Sequence, residues 1–218
     1  MEHVLNFIIS QSILFPLIIG LLKFKIIKVE YQPFFWVMVA GLITEIISFI
    51  QIGKYHVSNA IPTNIFVIIE WIFLAYQFHV WGFLKKKKNA FYLLIGLPAL
   101  VWIIENLFFG KITVFSPYFR ILYSFLLTLM SISEINFKIT HDNKNLFRNP
   151  KFIICIGFIL FFVYQILYEW AYQISLIEEP SRLTNIIIGL FSYIDAIANI
   201  IFGIAFLVIP ARRQFKLD

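Results

Sequence analysis

The sequence predicts an all-α polytopic membrane protein: one bundle of seven transmembrane helices over residues 1–218, N-terminus outside and C-terminus in the cytoplasm. Three observations predict it: the composition, the spacing of the apolar runs and the placement of the basic residues. Of the 218 residues, 61% are hydrophobic and 14% charged, whereas a soluble domain runs at about 45–50% apolar and about 25% charged. Phe alone supplies 26 residues. A soluble fold could not hide so much apolar surface, so the excess must face lipid, and the length leaves no room for a soluble domain beside the bundle.

Crossing a hydrocarbon core of about 30 Å as a helix takes about 20 apolar residues. Seven runs qualify, at 4–22, 33–52, 61–83, 90–109, 117–137, 152–172 and 184–209. Span one is not a cleaved signal peptide, because Met1-Glu2-His3 lacks a positive n-region and no small-residue cleavage site follows. Pro16 and Pro98 fall inside spans one and four and should kink them, which membrane helices tolerate. Ser116-Pro117 reads as an N-cap followed by proline at the first helical position of span five. Pro150 precedes span six, and Pro210 closes span seven.

Direction comes from the basic residues. Lys23, Lys25 and Lys28; Lys85 to Lys88; Lys138, Lys144, Arg148 and Lys151; and Arg212, Arg213 and Lys216 lie in alternate loops and the tail. Lys54, Lys111 and Arg182 lie in the other loops, which makes fourteen against three and puts the first set inside. The net charge of +6 follows from this bias and from contact with anionic lipid, so no nucleic-acid partner is implied. Cys155 is the single cysteine, which rules out an internal disulfide and a multi-cysteine metal site. It reads as a buried thiol, with palmitoylation the alternative.

Ionisable groups inside the spans are the functional signal, since each costs at least about 2.5 kcal/mol at mid-bilayer. Glu45, Glu70, Glu105, Arg120, Glu169 and Asp195 come one from each of spans two to seven, and all fall in the outer half or near the middle. Glu134, near the inner end of span five, should reach water. Ser192, Asp195 and Asn199 share a helical face at i, i+3 and i+7. Gln165, Tyr168, Glu169 and Tyr172 form a stripe on span six, Trp102, Glu105 and Asn106 on span four, and Arg120, Tyr123 and Ser124 on span five. These residues outline an outward polar pocket for a small ligand with a charged group. Arg120 would contact an anion, with Glu70, Asp195 and Asn199 at the floor and Glu45, Glu105, Glu169 and Ser192 around it. Two other readings stay open: a closed structural network, with Arg120 paired to Glu105, and a proton path.

Several chemistries are excluded. No lysine lies at mid-depth in span seven, so a retinal Schiff base cannot form. His3 and His56 belong outside and His79 and His141 inside, so they cannot share a zinc ion. No cofactor is implied, and an enzyme working on lipid would have to rely on carboxylates alone. No GxxxG helix-pairing motif occurs. Thr63-Asn64-Ile65 before Glu70 and Thr184-Asn185-Ile186 before Asp195 hint that spans 1–3 and 5–7 are parallel repeats around a linker helix.

Asn64-Ile65-Phe66, Glu70-Trp71-Ile72-Phe73-Leu74, Tyr118-Phe119-Arg120, Arg148-Asn149-Pro150 and Ala198-Asn199-Ile200-Ile201 carry a likeness over most of the chain. In these the chain resembles a group of small seven-helix membrane proteins of Bacteroidota-type bacteria. The resemblance implies the membrane architecture and a bacterial inner membrane, and no particular activity. The layout is also similar to receptors and to sugar transporters of the 3+1+3 kind, though the proline-glutamine motif of the latter is missing. The expected function is therefore binding or sensing of a small ligand or lipid headgroup without catalysis. Membrane lipids surround the protein, the ligand arrives from outside, and a separate cytoplasmic partner takes any signal. A small transporter, with Glu70 and Asp195 carrying protons or a cation, is the alternative, followed by a carboxylate-based lipid enzyme.

Overall fold

The computed structural model describes residues 9, 11–25, 27–141 and 146–210. Among these the protein is all-helical, with no strand. A 3-10 turn at Gln11–Ile13 leads into α1 (Leu14–Lys23). Then follow α2 (Gln32–Tyr55), α3 (Ala60–Trp81), α4 (Lys88–Ile103), α5 (Pro117–His141), α6 (Pro150–Ile177) and α7 (Arg182–Val208). The six helices from α2 to α7 are long and apolar enough to cross a membrane, and α1 with its preceding turn is a shorter apolar helix. This is the architecture of a multi-pass membrane protein. The start of span one at 4–8 and 10, together with His3, Lys144, Arg212, Arg213 and Lys216, lies outside the described residues.

The prolines act as local chemistry requires. Pro16 falls in the first turn of α1, where its missing N–H costs nothing, so it starts that helix rather than kinking it. Pro98 lies inside α4, and the last turn of that helix widens into a π-helical turn at Ile104–Phe108. Trp71 Nε1 donates to the Ile95 carbonyl close to the proline, at 3.2 Å. Asn149 caps α6 by accepting from Lys151 N at 3.0 Å, and Ser181 caps α7 by accepting from Thr184 N at 3.1 Å.

The connections α1–α2, α3–α4 and α5–α6 define one end of the bundle, called the lower end below, and the other three connections define the upper end. The lower half is a dry aromatic core. Phe34 of α2 packs on Phe158 of α6 at 5.6 Å and on Phe202 and Phe206 of α7 at 5.1 and 5.2 Å, all essentially buried. Phe78 of α3 joins Phe158 at 6.1 Å. Small residues let the helices close in. A Cβ at Gly157 would strike Phe202, and one at Gly203 would strike Phe15 of α1. These glycines do at α6–α7 and α1–α7 what a paired motif does elsewhere.

Polar contacts pin the lower end. The Glu30 carbonyl accepts from Gln77 Nε2 and, at 3.0 Å, from Trp81 Nε1. The Glu30 carboxylate lies 3.3 Å from Lys151 Nζ at the start of α6. Lys23 Nζ donates to the carbonyls of Phe206 and Leu207 at 3.2 and 2.6 Å, covering orphan acceptors at the negative end of α7. Glu134, expected at the water, is instead buried, only 8% exposed. It lies about two turns inside α5 and faces the packed interior.

α4 is the peripheral helix, with only 17% of its apolar window buried. α5, α6 and α7 form a continuous block, while α2 and α3 form a hairpin beside it. The 3-10 turn before α1 wedges between α2 and α7. A Cβ at Gly41 would sit 2.9 Å from Ile13 Cδ1, and Ser12 Oγ accepts from Asn199 Nδ2 at 3.0 Å.

Candidate functional site

Above the aromatic core the hairpin and the block part around a cavity of about 180 Å³. Its walls come from the Ile13 turn, α2, α3, α5, α6 and α7; α4 contributes nothing. Each lining stripe follows helical spacing. On α2 it is Gly41, Glu45 and Ser48, on α3 Thr63, Val67, Glu70 and Leu74, and on α7 Phe191, Asp195, Asn199 and Phe202. Arg120 and Tyr123 enter from α5, and Phe158, Phe162 and Gln165 from α6. Glu45 is exposed as well as lining, so the cavity opens beside it, and Ser48, Asn59 and Thr63 carry the wall toward the upper end. Glu45 and Glu70 each stand ten residues from the upper ends of their helices, roughly 15 Å in at about 1.5 Å per residue.

Of the eight residues expected to hold a ligand, five meet here, Glu45, Glu70, Arg120, Asp195 and Asn199, with Tyr123 and Gln165 of the expected stripes beside them. The Glu70 carboxylate accepts from Tyr123 Oη at 2.9 Å. Asp195 accepts from Asn199 Nδ2 at 3.2 Å and lies within electrostatic range of Glu45 and Glu70.

Glu105, Glu169 and Ser192 are absent from the lining, and each has a different place. Arg120 pairs with Glu169, Nε to Oε1 at 2.9 Å, and not with Glu105 as the sequence led us to expect. The ion pair is close, but the N–H is not aimed well enough for a hydrogen bond, and Glu169 Oε2 accepts none among the described residues. Gln165 Nε2 completes the arrangement with a 2.7 Å bond to Glu169 Oε1, and Phe115 lies 5.8 Å from the guanidinium. Glu169 is fully buried behind the arginine. Arg120 is therefore held by a carboxylate of its own and is not a free anion contact.

Glu105 is spent on the backbone. Its two oxygens accept from Tyr118 N at 3.0 Å and Phe119 N at 2.8 Å, capping α5 across the connection. The expected cap, Ser116, instead donates its hydroxyl to Asn106 Oδ1 at 2.7 Å. Asn64 secures the same connection, donating to the carbonyls of Ile112 and Val114 at 3.0 and 2.6 Å. Ser192 lies beside the α7 stripe. The cavity follows Phe191, Asp195 and Asn199 at intervals of four, and a residue at i−3 from Asp195 is turned about 60° away from it.

Thr44, Ser48, Asn59, Phe66, Phe161, Phe162, Phe191 and Phe202 also line the cavity and are not among the residues expected there. Ser48 was within reach of helical spacing, three residues beyond Glu45. The phenylalanines carry no such signal in a chain holding 26 of them.

Among the described residues no group of three or more His, Cys, Asp or Glu side chains is placed to hold a metal ion. The comparisons come to one result. Neither family models, nor curated proteins, nor solved structures match this chain. The functional reading rests on the geometry alone.

Proposed function

We propose that the chain is a non-enzymatic binding protein of a bacterial inner membrane, whose cavity receives a small charged ligand or lipid headgroup from the outer face. The observation that carries this reading is the cavity itself: four ionisable side chains from α2, α3, α5 and α7 facing one space of about 180 Å³. Carboxylates placed there cost free energy in an apolar bundle, and a protein keeps them at mid-depth where a ligand or water meets them. In this reading the chain crosses seven times, with the upper end outside and the lysine-rich lower end inside. α1 with its turn, Gln11–Lys23, covers about 20 Å of the first crossing. A signal would leave through the α3–α4 and α5–α6 connections to a separate cytoplasmic partner.

A second reading follows from Glu70 and Asp195 standing near mid-height above a dry aromatic core. A transporter would pass protons or a cation through that point by opening the core in turn. Accessibility separates the two. Ser48 is 7% exposed and lines the cavity, while Cys155 is fully buried in the lower core. In Ser48→Cys with Cys155→Ser, an impermeant maleimide should label from the outer face alone. Labelling from both faces would favour the transporter, and protection from both would show a closed network and end the binding reading.

A further inference from the structure

The cavity's charge balance and its hydrogen-bonding surface point to one chemical class of ligand, an inference that rests on reading the cavity as a binding site. Three carboxylates line it, those of Glu45, Glu70 and Asp195, against one guanidinium. That guanidinium already faces the buried Glu169 at 2.9 Å, so the count around the cavity is four carboxylates to one cation. No ion pair or hydrogen bond within the described residues reaches Glu45. Glu70, 7% exposed, gives one oxygen to Tyr123, and its other oxygen accepts nothing there.

Several donors on the walls are committed elsewhere. Thr44 and Thr63 donate to the carbonyls of Ala40 and Asn59 at 2.9 and 2.8 Å, leaving only lone pairs to the cavity. Gln165 donates to Glu169, and Asn199 divides its amide protons between Ser12 and Asp195. Ser48, more than nine-tenths buried on the wall, has no hydrogen-bond partner among the described residues. Apart from Ser48, Asn59 and the guanidinium, what remains is dominated by carboxylate and hydroxyl acceptors, and a group that brings N–H donors and positive charge satisfies them. An anion would face three carboxylates.

A bare metal ion does not answer, since the carboxylates do not converge as ligands. They stand around a space otherwise walled by Phe66, Phe161, Phe162, Phe191 and Phe202. Aromatic faces attract cations and accept an apolar body. The cavity's 180 Å³ is many times the space one water needs, which suits a small molecule. We infer that this cavity takes a small organic ammonium ion, its N–H groups on Glu45, Glu70 and Asp195 and its apolar body against the phenylalanines.

The test uses the full chain purified in detergent and three probes of one shape: phenylethylammonium, phenylethanol and phenylacetate, compared by calorimetric titration. The ammonium ion should bind at least about tenfold more tightly than the alcohol, a difference of about 1.4 kcal/mol, with phenylacetate weaker still. Asp195→Asn and Glu45→Gln should each remove about that tenfold advantage and leave the alcohol unchanged. Glu178→Gln, at the far end of α6 and outside the cavity, should change nothing. Equal binding of ammonium and alcohol, or tighter binding of phenylacetate, would overturn the inference, and this comparison needs no variant to fold. Insensitivity to both carboxylate substitutions would overturn it too. Maleimide labelling of Ser48→Cys tells the two failures apart. If that variant labels but the ammonium ion has no advantage, the ligand class is wrong and the binding site stands. If it does not label from either face, the site reading falls and takes the ligand class with it.

Discussion

The two halves of this bundle are made from the same helices and have almost nothing else in common. Below, Phe34, Phe78, Phe158, Phe202 and Phe206 pack ring on ring, with Phe158 and Phe202 forming the floor of the cavity. Above, the same α2, α3, α6 and α7 turn Glu45, Glu70, Gln165 and Asp195 toward an open cavity. In lipid there is no gain from hiding a phenylalanine from water, so the lower half holds by close packing and dispersion. The upper half is held at its edges instead, by Asn64 and Glu105 on the α4–α5 connection and by the buried Arg120–Glu169 pair. Stability and ligand chemistry thus meet at Arg120 and Phe158, which line the cavity and also hold the bundle, whereas Glu45 lines the cavity with no ion pair or hydrogen bond among the described residues.

Breaking the pair tests that contrast hardest. Arg120→Met leaves Glu169 buried without its cation, and should cost about 3–5 kcal/mol. Thermal unfolding in detergent checks this, and adding Glu169→Leu should return most of the loss because neither charge is then stranded. If Arg120→Met is nearly neutral, the upper half is not held by this pair. Phe158→Ala comes next. It empties a site touched by Phe34, Phe78, Phe162 and Phe202, and should cost about 3 kcal/mol, the low end of the soluble range because the transfer from water is missing. Glu45→Gln should move unfolding by less than about 0.5 kcal/mol, since the side chain is exposed and makes no protein contact that holds a helix. A loss there comparable to that of Phe158→Ala would dissolve the contrast between the halves.

The helices were legible in the sequence and the rotations of the helices were not. Apolar runs placed α2 to α7 within a few residues, because the hydrocarbon thickness sets their length and charge or proline marks their ends. α6 alone runs well past its expected end, to Ile177, since its last turns carry apolar residues interleaved with Gln173 and Ser175. Depth was legible too, which is why Glu45, Glu70, Arg120 and Asp195 were expected together and lie together. Azimuth decided the rest. Glu105 and Glu169 stand at similar heights, and only packing tells which one faces Arg120. The π turn rotates Glu105 toward the α5 backbone, and nothing in Ile104-Glu105-Asn106 announces such a turn. Ser192 failed for the same reason, because a face defined by i and i+3 drifts off the stripe that i and i+4 follow. Gln77 was not singled out at all, since its partners are the Glu30 carbonyl and the Phe34 amide of the main chain, brought close only by the fold.

Asn199 has one amide nitrogen with two protons, and the protein assigns one to Asp195 in the cavity and the other to Ser12 in the turn that begins α1. These two duties cannot be adjusted separately, because rotating the amide to follow a displaced Asp195 turns its second proton away from Ser12. α1 rests on α7 through Gly203 and Lys23, and among the described residues its upper seat includes this hydrogen bond and Ile13 against Gly41. One side-chain amide thus ties the cavity carboxylate of Asp195 to the turn that seats the shortest helix of the bundle.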